Sequence, residues 1–159
     1  FARNLLDIRQ TPTAVWSSDT PPAPVEPFKA ALCVPKDHDR SLFVEIASGQ
    51  KNISEGVNDM LHRNLNALPS RLSLVPADGP LDVENPLCVA MARQAYAEIE
   101  RSMAVTGARS IHLFIAAPQA FAMMLGQLFS GMPEVHLYEW DGGRYSKSCV
   151  VPAGPAGTA

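Results

Sequence analysis

Two short corners of this chain carry residues suited to holding an anion. Ser48-Gly49-Gln50-Lys51-Asn52 follows an apolar run and precedes a helical pattern. Ser48 offers a hydroxyl, Gly49 lets a ligand approach the backbone closely, Gln50 can bridge to phosphate or read a base edge, and Lys51 brings a positive charge to a helix N-terminus. Ala117-Pro118-Gln119 ends the apolar run Ile111 to Ala116 and opens a second helical pattern, with Phe121, Met124, Leu125, Leu128 and Phe129 at helix intervals. Proline is favoured in a first helical turn, so the helix is expected to start at Pro118 and to turn its free N–H groups and positive dipole end toward a ligand. Short polar loops before helices are common, and neither the Walker spacing nor the dinucleotide glycine fingerprint is present.

Catalytic chemistry finds less support. His112 sits inside an apolar run, while His38, His62 and His136 occupy unrelated segments, so no nucleophile has a base in evident reach. Asp37, His38 and Asp39 share one polar turn without further ligands and read as solvated. No catalytic residue, metal or cofactor is expected, and the chain reads as a non-enzymatic module. Tyr138, Trp140 and Tyr145 are aromatic residues able to stack on a base, with hairpin packing as their competing role. Phe121, Met123 and Met124 read as core.

Elements that position these corners follow from the pattern. Ala30–Val34 and Leu42–Ala47 read as strands separated by the turn 36–40; Ile53 to Leu68 reads as a helix with an apolar stripe, capped by Asn52 and Glu55. Leu72–Val75 reads as a strand, Asn85-Pro86 as the cap and first turn of a long helix ending near Thr106-Gly107, and Ile111–Ala116 as a strand before the Pro118 helix. Val135–Trp140, Asp141-Gly142-Gly143 and Tyr145–Val151 make a terminal hairpin. The alternation predicts an α/β fold: a mostly parallel sheet with helices on both faces and a C-terminal antiparallel hairpin. Ligands of such sheets bind beyond the carboxyl ends of the strands, where the loops 48–52, 76–80 and 117–119 converge.

The chain has 159 residues, a net charge of −3 and 47% hydrophobic residues, which fits one domain and disfavours a broad basic surface for long nucleic acid. No apolar run is long enough to span a bilayer, so no membrane partner is expected. Cys33, Cys88 and Cys149 form neither a disulfide framework nor a zinc pattern, which points to a reducing cytoplasm. Residues 1–26, with a short amphipathic piece at Leu5–Ile8 and a proline-rich stretch, read as a linker or strap left from a preceding region; 27–151 is the expected folded unit and 152–159 a loose tail.

His112-Leu113-Phe114-Ile115-Ala116-Ala117-Pro118, Leu125-Gly126-Gln127, Val135 to Trp140 and Tyr145-Ser146-Lys147-Ser148 together resemble the C-terminal half of a SAVED domain, the cyclic-oligonucleotide sensor of bacterial anti-phage CBASS and type III CRISPR systems. The resemblance implies a CARF-like, Rossmann-like fold. It also implies a cyclic oligoadenylate-type messenger as ligand and a linked protease, nuclease or TIR effector. The first SAVED half is expected before Phe1 or on a partner chain, with association into homo-oligomers on ligand binding. Ser48, Gly49, Gln50 and Lys51 are then the expected phosphate or ribose contacts, Ala117, Pro118 and Gln119 a helix-terminus wall, and Gly126 a site of close packing between helix and sheet. The competing readings are a Rossmann-like enzyme acting on a nucleotide or sugar phosphate, and a structural domain recruiting a protein partner through the hairpin from Tyr138 to Val151.

Overall fold

A computed structural model of the chain describes residues 5–9, 11–37, 39–49, 53–64 and 68–153. A small antiparallel pair, β1 (Asp7–Arg9) and β2 (Val15–Ser17), comes first. It is followed by β3 (Phe28–Cys33), β4 (Ser41–Ala47), α1 (Ser54–Asn64), β5 (Ser70–Pro76), α2 (Asn85–Thr106), β6 (Ser110–Ala116), α3 (Gln119–Leu128), β7 (Glu134–Trp140) and β8 (Tyr145–Val151). Strands β3 to β8 form one six-stranded sheet in the order β3-β5-β4-β6-β7-β8. Its centre, β5-β4-β6-β7, is parallel, and both outer strands run antiparallel to their neighbours.

The sheet is therefore mixed. The expected hairpin edge exists, with Gly142 at φ 61 in its turn and Asp141 N–H donating to the Arg144 carbonyl at 2.9 Å. A second antiparallel edge, β3, was not expected. The turn after Cys33 does not join neighbours, because β5 lies between β3 and β4.

Alternation along the buried strands splits the core into two layers. Leu42, Val44, Ile46, Leu72, Leu74, Ile111 and Leu113 pack with α2 and α3 on one face. On the other, Phe43, Phe114 and Tyr145 pack with Ile53, just before α1, and with Val57 and Met60 of α1. The helices thus cover both faces, as expected.

Several local readings are corrected. Asn85 does not cap α2: Glu84 holds the N-cap position, and the Asn85 side-chain amide donates to the Thr20 hydroxyl at 2.8 Å. Pro118 is the N-cap of α3 and the helix begins at Gln119. α1 ends at Asn64, and Leu68 is exposed beyond it. Met123 faces solvent, whereas Phe121 and Met124 are core. Gly126 is exposed with open space around its missing Cβ, so it serves no close packing. Gly107, by contrast, ends α2 in the left-handed conformation at φ 66, its N–H donating to the Met103 carbonyl. Residues 5–26 hold the β1–β2 pair, and Leu6, Ile8 and Trp16 pack against the α2 side of the core.

Candidate functional site

Because β4, β5 and β6 are parallel and adjacent, their carboxyl ends bring the described parts of the three predicted loops, 48–49, 76–80 and 117–119, to one edge. Ser48 ties that edge together. Its N–H donates to the Ala116 carbonyl at 3.0 Å, its hydroxyl lies 3.5 Å from the same carbonyl, and its own carbonyl accepts from the Leu81 N–H at 2.9 Å. Ser48 is buried, so its hydroxyl is a loop fastener and not an open ligand contact. Gly49 beside it faces open space. Gln50, Lys51 and Asn52 lie outside the described residues.

On the β6 side, Ala117 and Pro118 lead into α3, where the Phe121 N–H donates to the Pro118 carbonyl at 3.0 Å. Ala117 is partly buried against the core, while Pro118 and Gln119 are exposed at the edge. Trp140 ends β7 at the same carboxyl edge on the α1 face and is 46% exposed. A Cβ on Gly56 of α1 would stand 2.7 Å from the Trp140 ring, so the helix approaches that indole only because position 56 has no side chain. The sequence reading missed Gly56, since a glycine inside a helical pattern does not reveal which ring it faces.

The three proposed stacking residues part company. The Tyr138 ring stacks on Phe114 at 4.5 Å, and its hydroxyl meets His112 Nδ1 at 2.9 Å. Tyr145 is buried edge-on against Phe114 at 5.0 Å. Rings engaged in this way are committed to packing, which corrects the stacking role for Tyr138 and Tyr145; Trp140 touches Tyr145 edge-on at 5.2 Å and is 46% exposed.

The α1 face below this edge is polar and aromatic. Phe43, His112 and His136, neighbours across β4, β6 and β7, stack with centroids 4.3 and 4.5 Å apart and nearly parallel rings. Burial, reinforced by the His136 and Lys147 charges, pushes the His112 imidazole down to about 4, so it is neutral at pH 7. Glu45, only 2% exposed, is held by Arg71, whose Nε donates at 2.9 Å, and by the Ser54 hydroxyl at 2.5 Å. The Arg71 guanidinium also reaches Asn58. This network fixes α1 over the sheet.

Asp39, read as solvated, instead accepts the Ser41 N–H at 2.9 Å and bonds its hydroxyl, while His38 lies outside the described residues. Among the described residues no group of three or more His, Cys, Asp or Glu is placed to hold a metal ion, and no helix is long and apolar enough to cross a membrane. Cys33, Cys88 and Cys149 are free thiols, and burial pushes that of Cys88 up to about 11.

The family described as the SMODS-associated and fused to various effectors sensor domain, SAVED, matches residues 87–151. The matched stretch runs from α2 to the end of β8 and so contains Pro118, Gln119 and Trp140 of the carboxyl edge. The CD-NTase-associated protein 4 of Acinetobacter sp. (strain ATCC 27244 / 9458) is 49% identical over 35 residues, 22% of this chain and 8% of that protein.

The fold as a whole is similar to that of solved receptors. The Acinetobacter baumannii Cap4 SAVED/CARF-domain containing receptor, solved with the cyclic trinucleotide 3′3′3′-cAAA, superposes with a TM-score of 0.74 at 23% identity, over 92% of this chain and 32% of the receptor. The same receptor with 2′3′3′-cAAA gives 0.75 at 24% identity and the same coverage. The chain thus has the SAVED/CARF fold and spans about a third of the length of these receptor chains.

Proposed function

We propose that this chain is part of a sensor for a cyclic oligoadenylate-type second messenger in CBASS-type anti-phage defence, acting as a binding module and not as an enzyme. The observation that carries the reading is the coincidence of two facts. Residues 87–151 match a sensor domain, and 92% of the chain superposes on a receptor solved with cAAA. The carboxyl-edge geometry gives the reading a physical basis. Gly49 leaves the backbone open ahead of α1, Ala117, Pro118 and Gln119 make the proposed wall at the start of α3, and Trp140 is the proposed ring for a base; Gln50 and Lys51 are proposed from sequence as the phosphate or ribose contacts. Ser48 contributes by joining the loops.

A ligand larger than one edge needs a second surface, which another SAVED half or another copy supplies in the cytoplasm. Closure over the ligand then drives association and controls a linked protease, nuclease or TIR effector.

Calorimetry with 3′3′3′-cAAA, a cyclic dinucleotide and a cyclic tetranucleotide tests the reading on the full receptor containing this chain. One messenger is expected to bind saturably. Lys51→Ala is expected to weaken it by about 1.5–3 kcal/mol, the range for a hydrogen bond to a charged group, and Trp140→Ala by about 1–3 kcal/mol. Light scattering is expected to register a size increase on addition of that messenger. Failure of every cyclic oligonucleotide to bind overturns the reading.

A further inference from the structure

A cavity of about 490 Å³ lies beneath α1 on its β8 side, apart from the Ser48 and Pro118 loops, none of whose described residues line it. Its floor is aromatic: Phe43, His112 and Tyr138. Its rim carries Arg63 from the last turn of α1 and Arg144 and Lys147 from the hairpin, against one carboxylate, Asp59. All four charged side chains are exposed. Among the described residues the ion pairs are Arg71–Glu45, Arg101–Glu98 and His136–Glu134, so the three rim cations are not spent on carboxylates.

Charge and shape point the same way. Three cations facing one acid favour an anion, and two guanidinium groups favour the several oxygens of a phosphoryl group over a single carboxylate. Because the Phe43, His112 and His136 faces stack on one another, the floor offers ring edges, which meet a planar ring edge-to-face. The His112 imidazole is uncharged at neutral pH, so the positive charge is confined to the rim, where a phosphate keeps part of its hydration. The volume falls within the range of small-molecule sites, about 300–1,000 Å³.

We propose that this cavity is a second binding site, separate from the carboxyl edge, for a mononucleotide-type anion: a planar aromatic base lying across the ring edges of Phe43 and His112, with its phosphoryl group among Arg63, Arg144 and Lys147. Occupancy bridges α1 to β8, since the cations come from both. The site stands whether or not the carboxyl edge binds a cyclic messenger.

Titration with adenosine 5′-monophosphate, adenosine and inorganic phosphate, followed by calorimetry and by the His112 ring resonances, tests it. The monophosphate is expected to saturate and to shift the His112 signals, with adenosine and phosphate each at least about tenfold weaker. The exposed-site variants Lys147→Gln and Arg63→Gln/Arg144→Gln are expected to lose at least about tenfold in affinity, one charged hydrogen bond or more, at unchanged melting temperature. Lys51→Ala is expected to leave this binding as it is. No saturable binding of the monophosphate overturns the proposal. So does binding that the cavity variants leave intact, and loss of binding in Lys51→Ala would assign the ligand to the loops instead.

Discussion

The two faces of the sheet are built on different principles. Toward α2 and α3 the strands present Leu42, Val44, Ile46, Leu72, Leu74, Ile111 and Leu113, an aliphatic layer with no charged member. Toward α1 the same strands present Phe43, Glu45, Arg71, His112 and Phe114, joined by Tyr138 of β7, with a buried ion pair, a row of stacked rings and a cavity. Close-packed aliphatic burial stabilises without specifying a ligand. The α1 face combines oriented polar groups with empty space, the composition of a recognition surface. One layer is apolar throughout, and the other carries the polar groups, the stacked rings and the cavity.

The largest effect that sharpens this contrast is expected at Arg71. Arg71→Met leaves the Glu45 carboxylate buried without its cation and is expected to destabilise by about 3–5 kcal/mol, measured by urea unfolding. Glu45→Gln combined with Arg71→Met is expected to recover most of that loss, because the stranded charge is gone.

Leu74→Ala on the opposite face creates a cavity in the aliphatic layer. It is expected to cost about 2–5 kcal/mol in the same assay while leaving ligand affinity unchanged once the protein is folded. A matching loss of affinity would break the division between the faces.

The smallest effect is a pH dependence. The folded His112 has its pKa lowered to about 4, below the ordinary value of about 6.5, so the unfolded chain binds more protons between those values. Its contribution is complete above about pH 6.5, declines as pH falls toward 4, and is flat below. Partial solvent access reduces the change to about 1–2 kcal/mol. His112→Phe keeps a ring in the stack and is expected to flatten that slope, read from melting temperatures across pH 4 to 7.

Elements whose signals are local were legible from the chain. The long helix, the Gly107 stop and the Asp141-Gly142-Gly143 turn each depend on residues a few positions apart, and each is where the pattern predicts, whereas the first helix ends at Asn64, short of the expected Leu68. Strand order depends on partners far along the chain. Nothing in Phe28–Cys33 says that it pairs with Ser70–Pro76 and not with the adjacent Ser41–Ala47. The same limit applies to side chains. Asn85 has the sequence context of a cap, yet Thr20, 65 residues earlier, takes its amide. Gly126 has the look of a packing glycine, yet the glycine that meets a ring is Gly56. At the candidate site, the convergence of the loops was legible because it follows from parallel strands alone. The engagement of Tyr138 with His112, 26 residues away, was not.

The fastening made by Ser48 has a mechanical consequence. One residue donates to the end of β6 and accepts from the stretch leading into α2, so the strand-end corners cannot shift independently. A force applied at any one of them is carried through two short bonds to the long helix on the far side of the sheet, which makes the rim behave as a single lever.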